Sequence, residues 1–456
     1  MLQAIPGQSE ASPFENSGMG RAVFTGPVHS HVTSLVINPA ALGLKSEGWQ
    51  ALFGMSNHFS RLSVSPRFFN PDGSIQNGSD ASDTTWSPGA VVGVVLNNRK
   101  YNLGIAVTTP NAKRFHDNPA WNYHSQNGHL AQGLITLGGT LKFSGGDIML
   151  GLAYSFSASS MHYRFDTDTA LENRSGGNGP DCDGSPCGFR NPSQRRRYNV
   201  EANRFTVLDL ARGALSLGMA VKLGKNFITG SYSVAVTEPE LEGSVTLNLE
   251  DQMTVLRNQQ GEISLPLGNK FYLGLRRPLV KDLDLIAFVR YSRTSQTEII
   301  DVGTFGNTLE QNNIPEWLPR YQGFRDSGLL AIGVEEDFIR NWRWGARVVA
   351  ETAAVPVESV TPFNSHGHNL TLASGLEFHL TRHWTMQAGL DINLFLPRTV
   401  DESSNFSPLD AVACVDSQFE FSACQGTREG RAGPSALGDY QELGLSIHTN
   451  LKYEIF

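Results

Sequence analysis

The sequence lacks any run of about 20 consecutive apolar residues, which is the length that a membrane-spanning helix needs. Hydrophobic residues make up 40% of the 456 residues, a low share for a helical membrane protein. A transmembrane β-barrel is not excluded, because each of its strands needs only about 10 residues of alternating character. The 46 glycines fit strands that are joined by turns and loops.

The sequence also lacks a strong positive charge. The formal net charge is -8, and acidic and basic residues are interspersed, so we expect no nucleic-acid partner. The one basic run, Arg195–Arg196–Arg197, is short. A solvated loop is the first interpretation of this run, and contact with phosphate groups of the outer leaflet is the alternative.

Cysteine is scarce, and its four residues form two local pairs in loop-like stretches: Cys182 with Cys187, and Cys414 with Cys424. Such pairs predict disulfides formed in an oxidising compartment. No Cys-x2-Cys spacing supports a metal site, so we expect neither a metal nor another cofactor.

The N-terminus lacks a signal peptide, because no basic region followed by an apolar run is present in its first residues. The sequence therefore belongs either to a cytosolic protein or to a processed form. The strand pattern below favours a processed protein of the bacterial outer membrane.

Alternation of apolar and polar residues is the dominant pattern along the chain. The clearest example is the segment 383–394, whose alternate residues are apolar: Trp384, Met386, Ala388, Leu390, Ile392 and Leu394. The opposite face carries mostly small or uncharged residues. A soluble sheet usually places many Lys and Glu residues there, so the pattern favours a crowded barrel interior.

The connections between these segments alternate in length. Short turns are predicted at 97–100, 144–147, 224–226, 280–284, 340–342 and 381–383. Longer connections are predicted near 69–84, 110–129, 167–199, 238–261, 301–325, 363–368 and 398–437. Six short turns and seven long connections make thirteen links, hence fourteen strands. The predicted fold is an all-β, antiparallel transmembrane barrel with long extracellular loops.

Residues 1–46 do not alternate and contain two short elements. The first is Ser17-Gly18-Met19-Gly20-Arg21-Ala22, and the second begins at Asn38-Pro39-Ala40. Asn38 is a good helix cap, Pro39 suits the first helical position, and Gly43 is expected to end a one-turn helix. By its local chemistry alone, this element is a capped turn in a leader segment.

In this order, the two elements resemble the N-terminus of the FadL-type outer-membrane transporters of long-chain fatty acids and other hydrophobic compounds. The resemblance implies a fourteen-stranded barrel with an N-terminal hatch in its lumen. Residues 1–46 are then the hatch and residues 47–456 the barrel. The hatch residues that carry the resemblance are Ser17, Gly18, Gly20, Asn38, Pro39 and Ala40.

The resemblance also implies a transport route that begins in a groove between the third and fourth outer loops and ends with hatch movement and sideways exit. The predicted fourth loop, 238–261, offers apolar side chains, among them Leu247, Leu249 and Met253. Part of it is alternatively extended strand. The third loop is polar, so Phe115 and Trp121 of the second loop are candidate substitutes.

Two arginines are candidate ligands for a carboxylate substrate, because alternation places Arg290 and Arg347 on the inward face. Glu351 shares the face of Arg347, so bracing the barrel or the hatch is the alternative role. Pro110 ends a strand-like segment and cannot donate a ladder hydrogen bond. A lateral gap is therefore expected nearby, unless Pro110 merely begins a loop.

The predicted function is outer-membrane transport of hydrophobic molecules, either long-chain fatty acids or hydrocarbons, by a monomer that contacts membrane lipid and lipopolysaccharide. A general or substrate-selective porin is the alternative, although a plugged lumen argues against it. A barrel lipase or protease is a third class. We expect no enzyme, because no nucleophile elbow or metal-binding His pair accompanies the inward histidines.

Overall fold

The structure is a computed structural model that describes residues 22–45, 47–69, 75–114, 126–168, 195–205, 213–235, 240–249, 254–264, 269–296, 299–305, 317–321, 324–339, 341–362, 364–401 and 436–455. These residues form a closed antiparallel β-barrel of fourteen strands. Every strand pairs with its neighbour in the chain, and the last strand pairs with the first. The predicted fold is therefore confirmed.

Nine of the strands are continuous or nearly so, and five consecutive strands are each described as two segments. The strands are β1 (Gly48–Phe69), β2 (Ile75–Asn77 and Ala81–Asn97), β3 (Tyr101–Arg114), β4 (Gln126–Phe143), β5 (Ile148–Asp168), β6 (Arg195–Phe205 and Gly213–Leu223), β7 (Asn226–Ala235 and Glu240–Leu249), β8 (Thr254–Ser264 and Lys270–Val280), β9 (Leu283–Ser292 and Ile299–Phe305), β10 (Trp317–Tyr321 and Ser327–Ile339), β11 (Trp342–Glu351), β12 (Asn369–His379), β13 (Trp384–Phe395 and Arg398–Val400) and β14 (Gly438–Ile455).

All six predicted short turns lie at the same end of the barrel, which we call the short-turn end. Asp282 and Asn341 adopt positive φ angles of 65° and 75° there, as tight turns require. Two predicted long connections differ in length. Residues 250–253 alone separate the paired strands β7 and β8, and the connection from β11 to β12 spans 352–368.

The outward face of the barrel is apolar over a band. Trp49 is 52% exposed near the short-turn end, and Phe59 is 40% exposed ten residues further along β1. Ten residues at about 3.3 Å each, tilted by roughly 40°, rise about 25 Å, which matches the lipid-facing band of an outer-membrane barrel. The aromatic pairs Trp384–Tyr453 and Trp342–Phe378 lie at the short-turn end, with ring centroids 4.6 and 4.4 Å apart. This band identifies the membrane-facing surface.

Helical structure is confined to short pieces. One α-helix, α1 (Ser34–Ile37), is followed by a 3₁₀-helix at Pro39–Leu44. Further 3₁₀ turns lie at Ser144–Gly146, Thr294–Gln296 and Val357–Ser359. None of the helices in the described ranges is long and apolar enough to cross a membrane.

Candidate functional site: the barrel lumen and a gap in its wall

Residues 22–45, which we call the luminal segment, lie inside the barrel. Residues 22–29 and 31–43 are all buried, and their contacts reach inward-facing groups on strands from β2 to β14. Asn38 caps the 3₁₀-helix as predicted, because its Oδ1 accepts from Ala40 N at 3.1 Å. Its Nδ2 donates to Pro27 O at 3.1 Å and so ties the two halves of the segment together.

The 3₁₀-helix does not end at Gly43 as predicted but continues to Leu44. Gly43 is needed for a close contact, not for a positive φ angle. A Cβ atom on Gly43 would lie 2.7 Å from the side chain of Met149 on β5. The residue therefore allows the helix to pack directly against the wall.

Glycines of the wall form notches that receive the luminal segment. A Cβ atom on Gly151 would lie 2.2 Å from Ala40 N, and one on Gly218 would lie 2.2 Å from Asn38 Oδ1. Similar notches face other residues of the segment at Gly93, Gly274 and Gly345. Sequence reasoning missed these residues. The sequence feature that pointed to these glycines is their position on the inward face of segments in which apolar and polar residues alternate.

Arg347 of β11 binds the luminal segment itself. Its Nη1 donates to Ala22 O and its Nη2 to Thr25 O, both at 3.0 Å. Its guanidinium carbon lies 5.2 Å from the ring centroid of Phe288. The two hydrogen bonds hold the segment, and the ring contact holds the guanidinium against the wall, so the geometry favours the bracing role for Arg347.

Arg290 of β9 is paired with Glu351 of β11, and both side chains are almost fully buried. This pair faces the lumen four residues along β11 from Arg347, on the side away from the short turns. A carboxylate substrate would have to compete with Glu351 for this guanidinium. Both predicted arginines thus face inward, and both have protein partners.

Charged side chains line the lumen at the short-turn end. Glu335 of β10 lies 2.5 Å from His29 Nε2 and accepts from Arg343 Nη2 at 2.7 Å. Arg343 is also 3.6 Å from Asp284, which is paired with Arg276. This network joins four neighbouring strands, β8 to β11, to the luminal segment.

A second group of charges continues the network across β12 and β14. Lys452 Nζ lies 3.7 Å from carboxylate oxygens of both Glu377 and Glu454. Glu454 also binds Lys45 of the luminal segment, at 2.7 Å. We call the wall residues of both groups the charged belt: Arg276, Asp284, Glu335, Arg343, Glu377, Lys452 and Glu454.

His31 is the one strongly shifted group of the luminal segment that has no close carboxylate. Burial lowers the pKa of its imidazole to about 3, and the positive charge of Lys452 adds to the effect. Its Nδ1 lies 2.8 Å from Thr33 Oγ1. The ring is therefore neutral at physiological pH.

Further from the short turns, the inward face of β5 to β8 is apolar. Phe165 and Tyr198 stack with ring centroids 5.1 Å apart and planes inclined by 5°, and Tyr163 adjoins Phe165 at 4.9 Å. Cross-strand pairing continues this surface to Val245 and Leu247, both fully buried. We call this surface the apolar wall: Met161, Tyr163, Phe165, Tyr198, Val200, Ala202, Val245 and Leu247.

The apolar wall corrects the prediction of a long fourth outer loop at 238–261. That stretch forms strands of β7 and β8, because its apolar residues alternate and pair across the sheet. Leu247 therefore lines the barrel interior. The side chain of Leu249 lies outside the part of the chain that the structure describes.

Several predicted residues lie outside the described residues. They are Ser17, Gly18, Gly20, Phe115, Trp121, Met253 and the four cysteines Cys182, Cys187, Cys414 and Cys424.

The connection 352–368 was predicted as one of the longer connections but only near 363–368, whereas it leaves β11 at Glu351 and folds into the outer end of the lumen. Pro356 and Pro362 interrupt the extended chain, and Val355 and Val360 pack in a buried cluster with residues of β1, β13 and β14. His366 of this connection lies 2.7 Å from the buried Glu442 of β14.

A gap in the wall lies between β2 and β3. Within the described residues, the two strands pair over seven rungs, from Asn97–Asn102 to Val91–Thr108. Beyond Val91, on the side away from the short turns, β2 continues to pair with β1. There β3 continues to pair with β4, after a register shift that includes Pro110. The strands β2 and β3 therefore separate beyond the Val91–Thr108 pair.

Thr109 lies at the closed end of this gap, which is its end nearest the short turns. Its Oγ1 accepts from Ala90 N at 2.5 Å, in the place where a backbone carbonyl of β3 would accept in a continuous sheet. Ala90 pairs with Met55, whose outward side chain is 48% exposed. The gap therefore opens within the lipid-facing band. At the closed end of the gap, Val91 packs in a buried cluster with Val32 and Leu35 of the luminal segment.

No group of three or more metal-ligating residues is present in the parts of the chain that the structure describes.

Solved structures with the same architecture span the whole chain. A FadL homologue of Pseudomonas aeruginosa is similar with a TM-score of 0.73 and 15% identity, over 97% of this chain and 98% of that one. The toluene transporter TodX of Pseudomonas putida gives 0.64 and 13%, over 97% of each chain. The toluene transporter TbuX of Ralstonia pickettii gives 0.57 and 13%, over 96% and 97%.

No protein-family model matches the chain, and neither does any curated protein. The fourteen-stranded closed barrel and the likeness over nearly the full length nevertheless agree. The chain has the fold of the FadL-type barrels.

Proposed function

We propose that the protein is a bacterial outer-membrane transporter of hydrophobic molecules, which leave the lumen sideways through the gap between β2 and β3. The observation that carries the proposal is the division of the lumen. An apolar wall lies on the outer side, a charged belt closes the short-turn end, and the gap opens between them.

The apolar wall gives a hydrophobic cargo a favourable place inside the barrel. Apolar surface removed from water contributes about 25 cal/mol per Å². A cargo that buries roughly 200 Å² against Phe165, Tyr198 and Leu247 would thus gain about 5 kcal/mol. Capture from outside, on this proposal, involves the outer segments that include Phe115, Trp121 and Met253.

The charged belt disfavours passage along the barrel axis. An apolar molecule at this level would have to separate ion pairs such as Glu335–Arg343, which would leave the buried carboxylate of Glu335 without this partner at a cost in free energy. The same belt binds the luminal segment through His29 and Lys45. Axial exit would require both the belt and the segment to rearrange.

The gap provides the remaining route. The closed end of the gap lies beside Val32 and Leu35, so a small shift of the luminal segment would change the shape of the gap there. In this proposal the segment acts as the hatch, and Arg347 holds it. The two prolines of the strand edges, Pro88 and Pro110, offer no backbone donors to re-form a ladder.

The cargo class is either long-chain fatty acids or hydrocarbons. Two of the similar structures, TodX and TbuX, are toluene transporters, and a third is a FadL homologue. Recognition of a carboxylate would draw Arg290 away from Glu351. We further propose that the protein works as a monomer in contact with membrane lipid and lipopolysaccharide.

A variant that fills the gap tests the proposal. Gly89 is buried on the inward side of β2, above the last rung shared with β3. Gly89→Trp would place an indole in the exit, so we expect uptake of a labelled alkane into proteoliposomes to fall by about tenfold, equivalent to about 1.4 kcal/mol of added barrier.

The matched control is Gly133→Trp on β4, where an added Cβ atom meets nothing closer than 3.8 Å. Both variants are checked for folding by thermal unfolding. Normal uptake by a folded Gly89→Trp protein would exclude this exit. A large, steady conductance of the unmodified protein would favour a porin instead.

A further inference from the structure

We propose that Ser87 and Thr108 form a polar threshold on the lumen side of the gap, which binds the oxygen of a hydrophobic cargo carrying one neutral oxygen group, such as a long-chain alcohol. The inference rests on the proposed sideways exit and adds one class of hydrophobic molecule to the fatty acids and hydrocarbons named above.

The two hydroxyls are buried without a protein partner. Ser87 is 5% exposed and Thr108 is 0% exposed, and neither hydroxyl has a hydrogen-bond partner among the described residues. Some hydroxyls elsewhere on the inward face pair with each other, as Thr136 does with Ser155 at 2.8 Å, whereas others, such as that of Thr229, also have no partner among the described residues. A buried hydroxyl without a partner is costly, so the two groups near the gap favour a ligand that pairs with them.

Both hydroxyls lie along the gap. Thr108 belongs to the last rung that β2 and β3 share, opposite Val91. Ser87 lies four residues further along β2, about 13 Å at the usual rise of a strand. The hydroxyl of Thr109, the next residue in sequence, already accepts a hydrogen bond from Ala90 N, so this acceptor position is not open to a cargo. At this separation the two hydroxyls cannot bind one oxygen together, so each is a separate place where the oxygen of a cargo in the gap can pair.

The chemistry of the site favours a neutral oxygen group. Each hydroxyl offers one donor and two acceptor positions, so it can pair with an alcohol, a phenol or a ketone. A pure hydrocarbon leaves both hydroxyls unpaired. An ionised carboxylate could pair with them, but the gap opens toward lipid, and an unpaired charge is expensive to move there.

The test compares the uptake of 1-dodecanol with that of dodecane by the full chain in proteoliposomes. The double variant Ser87→Ala/Thr108→Val removes both hydroxyls and keeps the side chains close in shape. We expect the ratio of alcohol to alkane uptake to fall roughly fivefold, as for the loss of about one net hydrogen bond.

Two further variants control for packing. Thr229→Val removes another buried hydroxyl without a partner, on β7 away from the gap, and should leave the ratio unchanged. Ser87→Thr/Thr108→Ser keeps both hydroxyls and should also preserve the ratio. Thermal unfolding confirms that each barrel is folded.

The outcomes separate this inference from the proposed function. If the unmodified protein moves neither probe faster than protein-free vesicles do, transport itself is refuted. If it moves both probes but the double variant leaves the ratio unchanged, the threshold alone is refuted. A change of the same size in Thr229→Val would also refute it.

Discussion

The two ends of the lumen differ in the side chains that face it. At the short-turn end, Glu335 and Arg343 belong to a belt of charges bound to the luminal segment. Toward the outer end, Phe165 and Tyr198 stack within an apolar wall. A hydrophobic molecule is stabilised at the second surface and opposed at the first. On the proposed function, this difference implies that a hydrophobic molecule enters and leaves the barrel in different directions.

The largest effect is expected from a change that unseats the luminal segment. Gly151→Val would place its Cβ atom within 2.2 Å of Ala40 N, so the segment must move away from β5. Overpacking of this kind costs about 1–3 kcal/mol. We expect a large conductance in single-channel recordings where the unmodified protein shows little. Gly133→Val, on the outward face, is the control, and equal conductance of both variants would contradict the notch.

Removing Arg347 should have the next largest effect. Arg347→Ala deletes two charge-assisted hydrogen bonds to Ala22 O and Thr25 O, worth about 1.5–3 kcal/mol each. Because these bonds hold the luminal segment, we expect uptake of a fatty acid and of an alkane to fall equally. Arg277→Ala, on an exposed arginine of β8, serves as the control. Selective loss of fatty-acid uptake would instead indicate a direct ligand role.

Truncation of the apolar wall should weaken cargo binding. Tyr198→Ala removes the ring that stacks on Phe165, so we expect the Kd of a labelled alkane to rise roughly tenfold, or about 1.4 kcal/mol. Tyr232→Ala, on the outward face of β7, is the matched control. Equal binding by the two variants would show that the cargo rests elsewhere.

The last prediction concerns the pH dependence of folding stability. Burial lowers the pKa of His31 to about 3, below its unfolded value, so the folded state resists protonation. The contribution of His31 to stability is fully present above its unfolded pKa of about 6.5 and is lost as the pH falls below it. At pH 5 the loss is about 2 kcal/mol. His31→Asn should therefore reduce the fall in Tm between pH 7.5 and pH 5, and an unchanged fall would contradict this.

Alternation and connection length predicted the barrel well. Segments such as 383–394 have a lipid face and a crowded inner face, and the predicted short turns join consecutive strands. These are local features of the chain. The inward directions of Arg290 and Arg347 follow from the same parity.

Features that depend on partners distant in sequence were not predictable. Gly151 and Gly218 resemble any other small strand residue until the luminal segment packs against them. Likewise, Val355 and Val360 read as a strand end, although they pack inside the lumen. The ladder break at Pro110 was one of two interpretations, because a proline also begins loops.

The position of a bound cargo tests sideways exit most directly. A crystal structure with a brominated alkane would locate the halogen by its anomalous signal. We expect bromine sites along the apolar wall and beside Gly89 in the gap between β2 and β3. Bromine sites between the charged belt and the short turns, with an unoccupied gap, would contradict the proposed route.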